Sequence, residues 1–388
     1  MEGRRKRILH VVSAMNRGGA ETLLMNVYRT INRDKVQFDF VSHRLTTCDY
    51  DDEIQEMGGR IYRIPSLGQS GFVSYVKCLR SIIRSEIYEA VHCHTDYQSG
   101  IVALAAKLEG VQKRVCHAHS NQWVNSHSFR HYLTFKGLQS LIGFMGTDYC
   151  ACSEEAGRFL FGSRRLKNGQ IRILNNGISL DDFIQISENK VIQLKEELKL
   201  HEGTRVIGHV GNFSEVKNQR YVLMILKQFL LEEEKMIAVF VGDGPLKNEI
   251  MAESSRLGLT ENVRFLGVRE DIPLLMKSFD VFVFPSLSEG FGLVVLEAQA
   301  AGKPCVVSDT VPRTTDLKLG LISYLSLETD MTQWVQVIRQ SFENKRLSIN
   351  EIQHAFSRLR FTVNDTAKDW LSLYGFLEKS WIIEGESG

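Results

Sequence analysis

The sequence predicts an α/β protein built from two doubly wound domains. Apolar runs rich in β-branched and aromatic residues recur along the chain, with stretches of helical spacing between them. That alternation implies parallel sheets covered on both faces. It pauses in a polar, charged connector over residues 184–203 and resumes with VIGHV from Val206. The domains are therefore drawn at 1–182 and 183–364, and a chain of 388 residues lets each bury its own core.

In the first domain, RILHVVSA over residues 7–14 is the opening buried strand. MNRGGAE follows, then a helix with apolar residues at Leu23, Leu24, Val27 and Ile31, which puts Gly18 and Gly19 at a helix N-terminus. Further strands are expected at 37–41, 60–64, 89–94, 114–119 and 147–153, with helices at 73–84 and 99–108. Ligands of such sheets gather at the carboxyl ends of the strands. Two histidine-bearing segments end there, VHCHTD with His92 and His94, and VCHAHSN with His117 and His119. Alternate strand residues point the same way, so either pair could hold a metal or be hydrogen-bonded at the strand end. DYD at 49–51 falls in a charged loop before a helix, where solvent-facing carboxylates are expected. SFRHYLTFKGLQSLIGFMG, residues 128–146, fits an amphipathic helix whose apolar face joins the core or rests on a membrane. IRILNNGISLDDF then closes the domain, its Asn-Asn-Gly breaking a strand.

The second domain opens with VIGHVGNFSEVKNQ, a strand turning through Gly211 into a helix. AVFVGDGPLKNEI adds a strand followed by Gly242, Gly244 and Pro245, with Lys247 where a dinucleotide fingerprint would place its third glycine. VRFLGVREDIPLLMKSFD supplies a strand, a turn at Gly267 and Val268, and a short helix. FDVFVFP is the next buried strand, and a helix begins near Gly292. Between them lies PSLSEGFGLVVLEAQAAGKP, residues 285–304. The first amides of a helix lack intrahelical partners and carry the positive end of the dipole, so those of Phe291, Gly292 and Leu293 can donate to phosphate or sugar oxygens. Gly290 and Gly292 allow close approach. Glu289 precedes the helix and Glu297 lies about two turns along it, so two carboxylates can accept from different hydroxyls of one extended ligand. Taken singly, Glu289 could instead cap the helix electrostatically and Glu297 be a solvated surface residue.

The combination E-G-F-G-x-x-x-x-E after a strand resembles the E-x7-E signature of family 4 retaining glycosyltransferases of the GT-B fold. GGAE, VCHAHSN and GNFSEVKN resemble that family in the same order, and the resemblance spans nearly the whole chain. It implies two Rossmann-like domains facing an interdomain cleft, with the last helix, about 365–388, packing back on the first domain. It also implies roles. Glu289 contacts the donor sugar, amides around Gly290, Phe291, Gly292 and Leu293 hold its oxygens, and Glu297 takes the ribose hydroxyls. Backbone at Gly267 and Val268 meets the nucleobase, while Gly18 and Gly19 approach donor phosphate or acceptor. His119 lies near the transferred sugar and Lys217 neutralises the diphosphate, so His119, Lys217 and Glu289 are the expected catalytic residues. The chain departs from the pattern at Ser179, in place of the usual Asp, and beyond Asp309, where the P-E-[IV] segment is missing. The sharpest departure is Asn212, where the family has Arg. A lone ammonium lacks the fork of a guanidinium, so donor affinity or turnover is lowered unless another basic residue compensates.

The resemblance implies transfer of a sugar, with retention, from a nucleotide-sugar of the UDP-sugar kind to a glycan or polyprenyl-linked acceptor in exopolysaccharide or capsule assembly. No cofactor and no metal are expected, because Lys217 and helix amides supply the neutralising charge. A nucleotide-sugar epimerase of the same architecture would act without an acceptor, and a non-catalytic sugar-nucleotide binder would suit Asn212. A nicotinamide dehydrogenase is disfavoured by the missing fingerprint. At 43% hydrophobic and 24% charged residues the chain has the make-up of a globular protein. Net charge is +1, but residues 1–180 carry a surplus of roughly eight positive charges. That surplus suits a membrane surface or a pyrophosphate-linked acceptor, or attraction to the acidic second half, and no nucleic-acid partner is expected. There is no run of about 18 apolar residues and no signal peptide, so a cytoplasmic protein, at most peripheral to the inner face of the membrane, is expected. The seven cysteines are scattered without a C-x-x-C pair, as for buried thiols in a reducing compartment. Cys150 and Cys152 could join a histidine on a metal, although core packing is the commoner outcome.

Overall fold

A computed structural model describes residues 4–120, 129–344, 346–376 and 381–383, with the side chains of 129–132 outside the described set. The chain falls into two units, Met1–Gly177 with Val363–Gly388, and Ile178–Thr362. The boundary drawn at 182 lies just inside the second unit.

The first unit is a seven-stranded sheet of β1 (Lys6–Val12), β2 (Val36–Ser42), β3 (Ile61–Arg63), β4 (Tyr88–Cys93), β5 (Lys113–Ala118), β6 (Asp148–Ala151) and β7 (Ile171–Ile173). The order is β3-β2-β1-β4-β5-β6-β7, and every pairing is parallel. Strand periodicity sorts the core. Ile8 and Val12 of β1 join one apolar cluster with Tyr28, Phe38 and Phe40, while Leu9 and Val11 join another with Tyr75, Leu79 and Val91. The helix Val363–Tyr374 covers the first of these faces with Ala367, Trp370, Leu371 and Tyr374. Trp370 is fully buried, and truncation of such a side chain costs about 3–5 kcal/mol.

The second unit is a six-stranded parallel sheet of β8 (Arg205–Val210), β9 (Met236–Val241), β10 (Val263–Phe265), β11 (Val281–Phe284), β12 (Cys305–Ser308) and β13 (Ile322–Leu325), ordered β10-β9-β8-β11-β12-β13. Gly208 of β8 has to be glycine, since a Cβ there would lie 1.9 Å from the ring of Phe279. Strand order reverses between β1 and β4 in the first sheet and between β8 and β11 in the second. The carboxyl ends of such neighbours leave a crevice where ligands bind.

Three expectations are corrected. The stretch 184–203 is more than a connector, because it contains the helix Glu188–Glu197, which packs Leu194 against the helix Ile272–Ser278. Its apolar positions are too sparse to stand out in the sequence. Asp51 of the DYD segment is not solvent-facing. It is 1% exposed, accepts the Cys48 amide at 2.9 Å and pairs with Arg63 at 2.6 Å. The predicted amphipathic helix runs Phe129–Met145, with Ser128 outside the described residues. Phe135 and Ile142 are buried while Leu133 and Phe144 are exposed, so apolar side chains occupy both faces.

Candidate functional site

In the second unit the turns after β8 and β11 are fastened together. The Leu287 amide donates to the Val216 carbonyl at 2.7 Å, and Asn218 Nδ2 donates to the Pro285 carbonyl at 3.1 Å. Lys217 stands between them, with Nζ 2.5 Å from Glu289 Oε1 and 4.8 Å from the centre of the Phe284 ring. Ser286 donates to the same carboxylate at 2.5 Å, a contact that no motif announced. Glu289 is only 7% exposed, so its charge is held by a cation and a hydroxyl in a largely dry setting, where both interactions gain strength.

Gly292 caps the helix Leu293–Ala300 at φ 86°, a left-handed conformation that favours glycine. Phe291 and Leu293 bury their side chains, which leaves their backbone as the part able to meet a ligand. Glu297 lies on this helix, and burial pushes its carboxyl up to about 7. Glu297 is partly buried on this helix and so is not a fully solvated surface residue.

The turn after β9 explains its two glycines. At Gly242 a Cβ would lie 2.2 Å from the Gly211 carbonyl oxygen, and at Gly244 it would lie 2.4 Å from Asn212 Oδ1. Both glycines let this turn press on the one that carries Asn212, which is itself exposed. Gly267, at φ 70°, follows β10 and accepts the Gly242 amide at 2.8 Å, and Val268 beside it is half exposed. Lys247 Nζ lies near Gly267 and 3.4 Å from Asp243. Asn212, Lys217, Gly267, Val268 and the stretch from Glu289 to Leu293 thus all follow the carboxyl ends of their strands.

In the first unit the region after β1 and β4 holds Gly18, Gly19 and a group of acids and imidazoles. At Gly18 a Cβ would meet Glu21 Oε2 at 2.3 Å, so that carboxylate would have to move, whereas Gly19 faces open space. Burial, with the charge of Asp96 adding to it, raises the Glu21 carboxyl to about 7. Asp96 has φ 45° and accepts the His119 amide at 2.9 Å. Burial raises its carboxyl to about 6 although backbone donors oppose the shift. Strained backbone at a non-glycine residue concentrates at functional sites.

The histidines expected in pairs form one group of five. His10, His92 and His117 are fully buried, and His94 and His119 are partly exposed. His94 bridges His10 Nδ1, 3.0 Å from its Nε2, and His119 Nε2, 2.8 Å from its Nδ1. His92 bridges the Tyr374 hydroxyl at 2.6 Å and His117 Nδ1 at 3.2 Å. The Trp370 ring lies 4.9 Å from that of His92. Burial lowers all five imidazoles, His10 to about 3 and His119 to about 4, so they are neutral near pH 7. Cys150 and Cys152 are buried thiols, and Cys152 Sγ contacts the His119 carbonyl at 3.7 Å.

Sequence reasoning singled out His119 but not Asp96, Glu21 or His10. His10 could have been found, since strand alternation places it on the same face as Ile8 and Val12.

Comparison with known proteins agrees with this layout. Residues 17–182 match the family model "Glycosyltransferase Family 4" and residues 191–357 match "Glycosyl transferases group 1". The chain is 40% identical over 379 residues to the Bacillus subtilis (strain 168) protein named "Putative glycosyltransferase EpsF", covering 96% of this chain and 97% of that one. It is 27% identical to an Escherichia coli UDP-Gal:alpha-D-GlcNAc-diphosphoundecaprenol alpha-1,3-galactosyltransferase, over 75% of this chain and 76% of the other. Among solved structures, Anabaena HepE in complex with UDP-glucose superposes with a TM-score of 0.75 at 20% identity, over 95% of this chain and 99% of that one. WaaG, a glycosyltransferase involved in lipopolysaccharide biosynthesis, gives 0.67 at 15% identity, over 96% and 98%. These structures share the GT-B fold. Among the described residues no helix is long and apolar enough to cross a membrane.

Proposed function

The chain belongs to the glycosyltransferase family 4 and group 1 proteins, and from that membership we propose that it moves a sugar from a UDP-sugar to a glycan or polyprenyl-linked acceptor, with retention of configuration and without a metal. The observation that carries this reading is the Lys217–Glu289 pair at the β8–β11 reversal, beside the Gly292 helix start. A cation and helix amides at one crevice suit a diphosphate, and a neighbouring carboxylate suits a sugar hydroxyl. Two relatives point to the substrates: HepE was solved with UDP-glucose, and the E. coli relative acts on a diphosphoundecaprenol-linked acceptor.

In this reading the second unit holds the donor. Glu289 fixes the sugar and Glu297 the ribose, while Lys217 and the amides of residues 290–293 take up charge as the bond from the anomeric carbon to the β-phosphate oxygen breaks. These interactions strengthen as negative charge grows on the leaving UDP, and so they lower the barrier. The acceptor oxygen forms the new bond on the same face of the sugar, and its proton passes to the departing phosphate. Gly267 and Val268 meet the base. Lys247 is the basic residue placed to offset Asn212. The first unit carries Gly18, Gly19 and His119, with His119 proposed as its residue for the reaction. Its basic surplus suits a peripheral membrane contact on the cytoplasmic side.

The test is UDP release from a panel of UDP-sugars, with and without lipid-linked acceptors, in buffer containing EDTA. Acceptor-dependent release supports transfer, and anomeric couplings of the product by NMR read its stereochemistry. Release that ignores the acceptor, inverted product, or loss of turnover in EDTA would each remove the corresponding part of the proposal.

A further inference from the structure

We propose that His94, His117 and His119 form a binding site for a transition-metal ion of the Zn²⁺ class. Each offers one ring nitrogen, and the three nitrogens lie within 4.8 Å of one another. The residues come from the ends of two adjacent parallel strands, β4 and β5, so the sheet itself sets their spacing. Zinc–imidazole bonds of about 2.0–2.1 Å put tetrahedral ligand nitrogens about 3.3 Å apart. His94 Nδ1 and His119 Nε2 are 2.8 Å apart, so they need to open by only about half an ångström.

His117 carries the most telling atom. Its Nδ1 is engaged by His92 Nε2 at 3.2 Å. Its Nε2 is buried and has no hydrogen-bond partner among the described residues, an expensive state for a polar atom. If His117 Nδ1–H donates to His92, and His92 Nδ1–H donates to Tyr374, then Nε2 is a bare lone pair, the form a metal takes. Metal-binding histidines are commonly oriented in this way, with the rear nitrogen held by a neighbour. His94 has the same support, its Nε2 lying 3.0 Å from His10 Nδ1.

The donor set decides the class of ion. Three imidazoles without a carboxylate suit Zn²⁺, Co²⁺, Ni²⁺ or Cu²⁺, and not Mg²⁺ or Ca²⁺, which prefer oxygen ligands. Of the three, His119 is partly open to solvent. Occupancy fixes the His119 ring on the ion, so Zn²⁺ is an inhibitor of transfer and not its cofactor. This consequence alone rests on the function proposed above.

The experiment uses the full-length chain freed of metal with EDTA. Titration with Co²⁺ should give the visible absorption of a low-symmetry three-nitrogen site at one equivalent, and Zn²⁺ should abolish it. His117→Gln should weaken Co²⁺ binding at least about tenfold. Crystals of the unaltered protein soaked in Zn²⁺ should show one anomalous peak between the three rings, a reading that does not depend on the variant folding. No peak at that place, or Co²⁺ binding unchanged in a folded His117→Gln protein, overturns the site. Zn²⁺ bound there without loss of turnover upholds the site and removes His119 from the reacting sugar.

Discussion

Lys217 and Glu289 meet at the strand-order reversal of the second sheet, Nζ 2.5 Å from Oε1, so the cation proposed for the diphosphate and the carboxylate proposed for the sugar hold each other. Each residue holds the other in place before any ligand arrives. Removing either one leaves a buried charge without its main partner. Lys217→Ala and Glu289→Gln should each lower kcat/KM by about 10²–10³, and the double variant should lose less than the product of the two. Steady-state UDP release in a double-mutant cycle measures this. Simple multiplication of the losses would mean that the pair does not act as a unit.

Asn212 lies over Gly244 at the turn after β8, where the family resemblance calls for Arg. A guanidinium there would add a fork of donors for phosphate oxygens. Asn212→Arg should tighten UDP binding by about tenfold, close to 1.4 kcal/mol, read by calorimetry. Unchanged affinity would indicate that Lys247 already supplies the second charge.

The glycines separate structural from ligand-facing roles. Gly208→Ala drives a Cβ into the ring of Phe279, and Gly18→Ala drives one into Glu21, whereas Gly19→Ala meets nothing within 4 Å. Gly208→Ala should destabilise by about 3 kcal/mol or more. Gly19→Ala should leave the urea midpoint within about 0.5 kcal/mol of wild type while raising the KM for donor or acceptor. Denaturant melts beside kinetics make the comparison, and an unaltered KM would take Gly19 out of the site.

Much of this was legible in the sequence because one local signal sufficed. Continuous β-branched runs marked the strands, and the run from Glu289 to Glu297 marked the helix that starts after β11. What escaped detection depends on residues far apart in the chain. Ser286 is an ordinary serine until the turns at Val216 and Leu287 lock together. Asp96 gains its raised carboxyl only through burial in the folded unit, and Glu21, also raised chiefly by burial, feels the charge of Asp96 only once β1 and β4 become neighbours. Asp51 looks like a surface acid because Arg63, which covers it, belongs to the next strand.

Acid should weaken the fold. Burial lowers His10 to about 3 and His43, His119 and His209 to about 4, and holds His92, His94 and His117 well below their usual value. In the unfolded chain these groups titrate near 6.5. Below that pH the unfolded state binds more protons, so stability falls as pH drops from about 6.5 towards 4. Glu21 and Glu297, raised to about 7, and Asp96, raised to about 6, contribute with the opposite sign. The seven histidines outnumber these three carboxyls. Urea unfolding should therefore lose at least about 1 kcal/mol per pH unit between 6 and 5. A flat profile over that interval would show that the imidazoles are solvated.

The helix Phe129–Met145 offers a test of membrane contact that the sequence pattern alone would misdirect. By periodicity Phe135 and Leu141 belong to an apolar face, but Phe135 is buried, and an acidic side chain there would destabilise the fold before it reported on lipid. Among the described side chains of this helix, Leu133 and Phe144 are the exposed large apolar ones, at 54% and 76% exposure, and Lys136 is exposed as well. Apolar side chains flanked by a cation suit the headgroup boundary of an anionic bilayer. Leu133→Glu with Phe144→Glu should keep the wild-type melting profile and reduce co-sedimentation with anionic vesicles by about tenfold, since two buried anchors are worth at least about 1.4 kcal/mol together. Equal co-sedimentation by a folded double variant would exclude this helix and leave the basic surface of the first unit as the attachment to test.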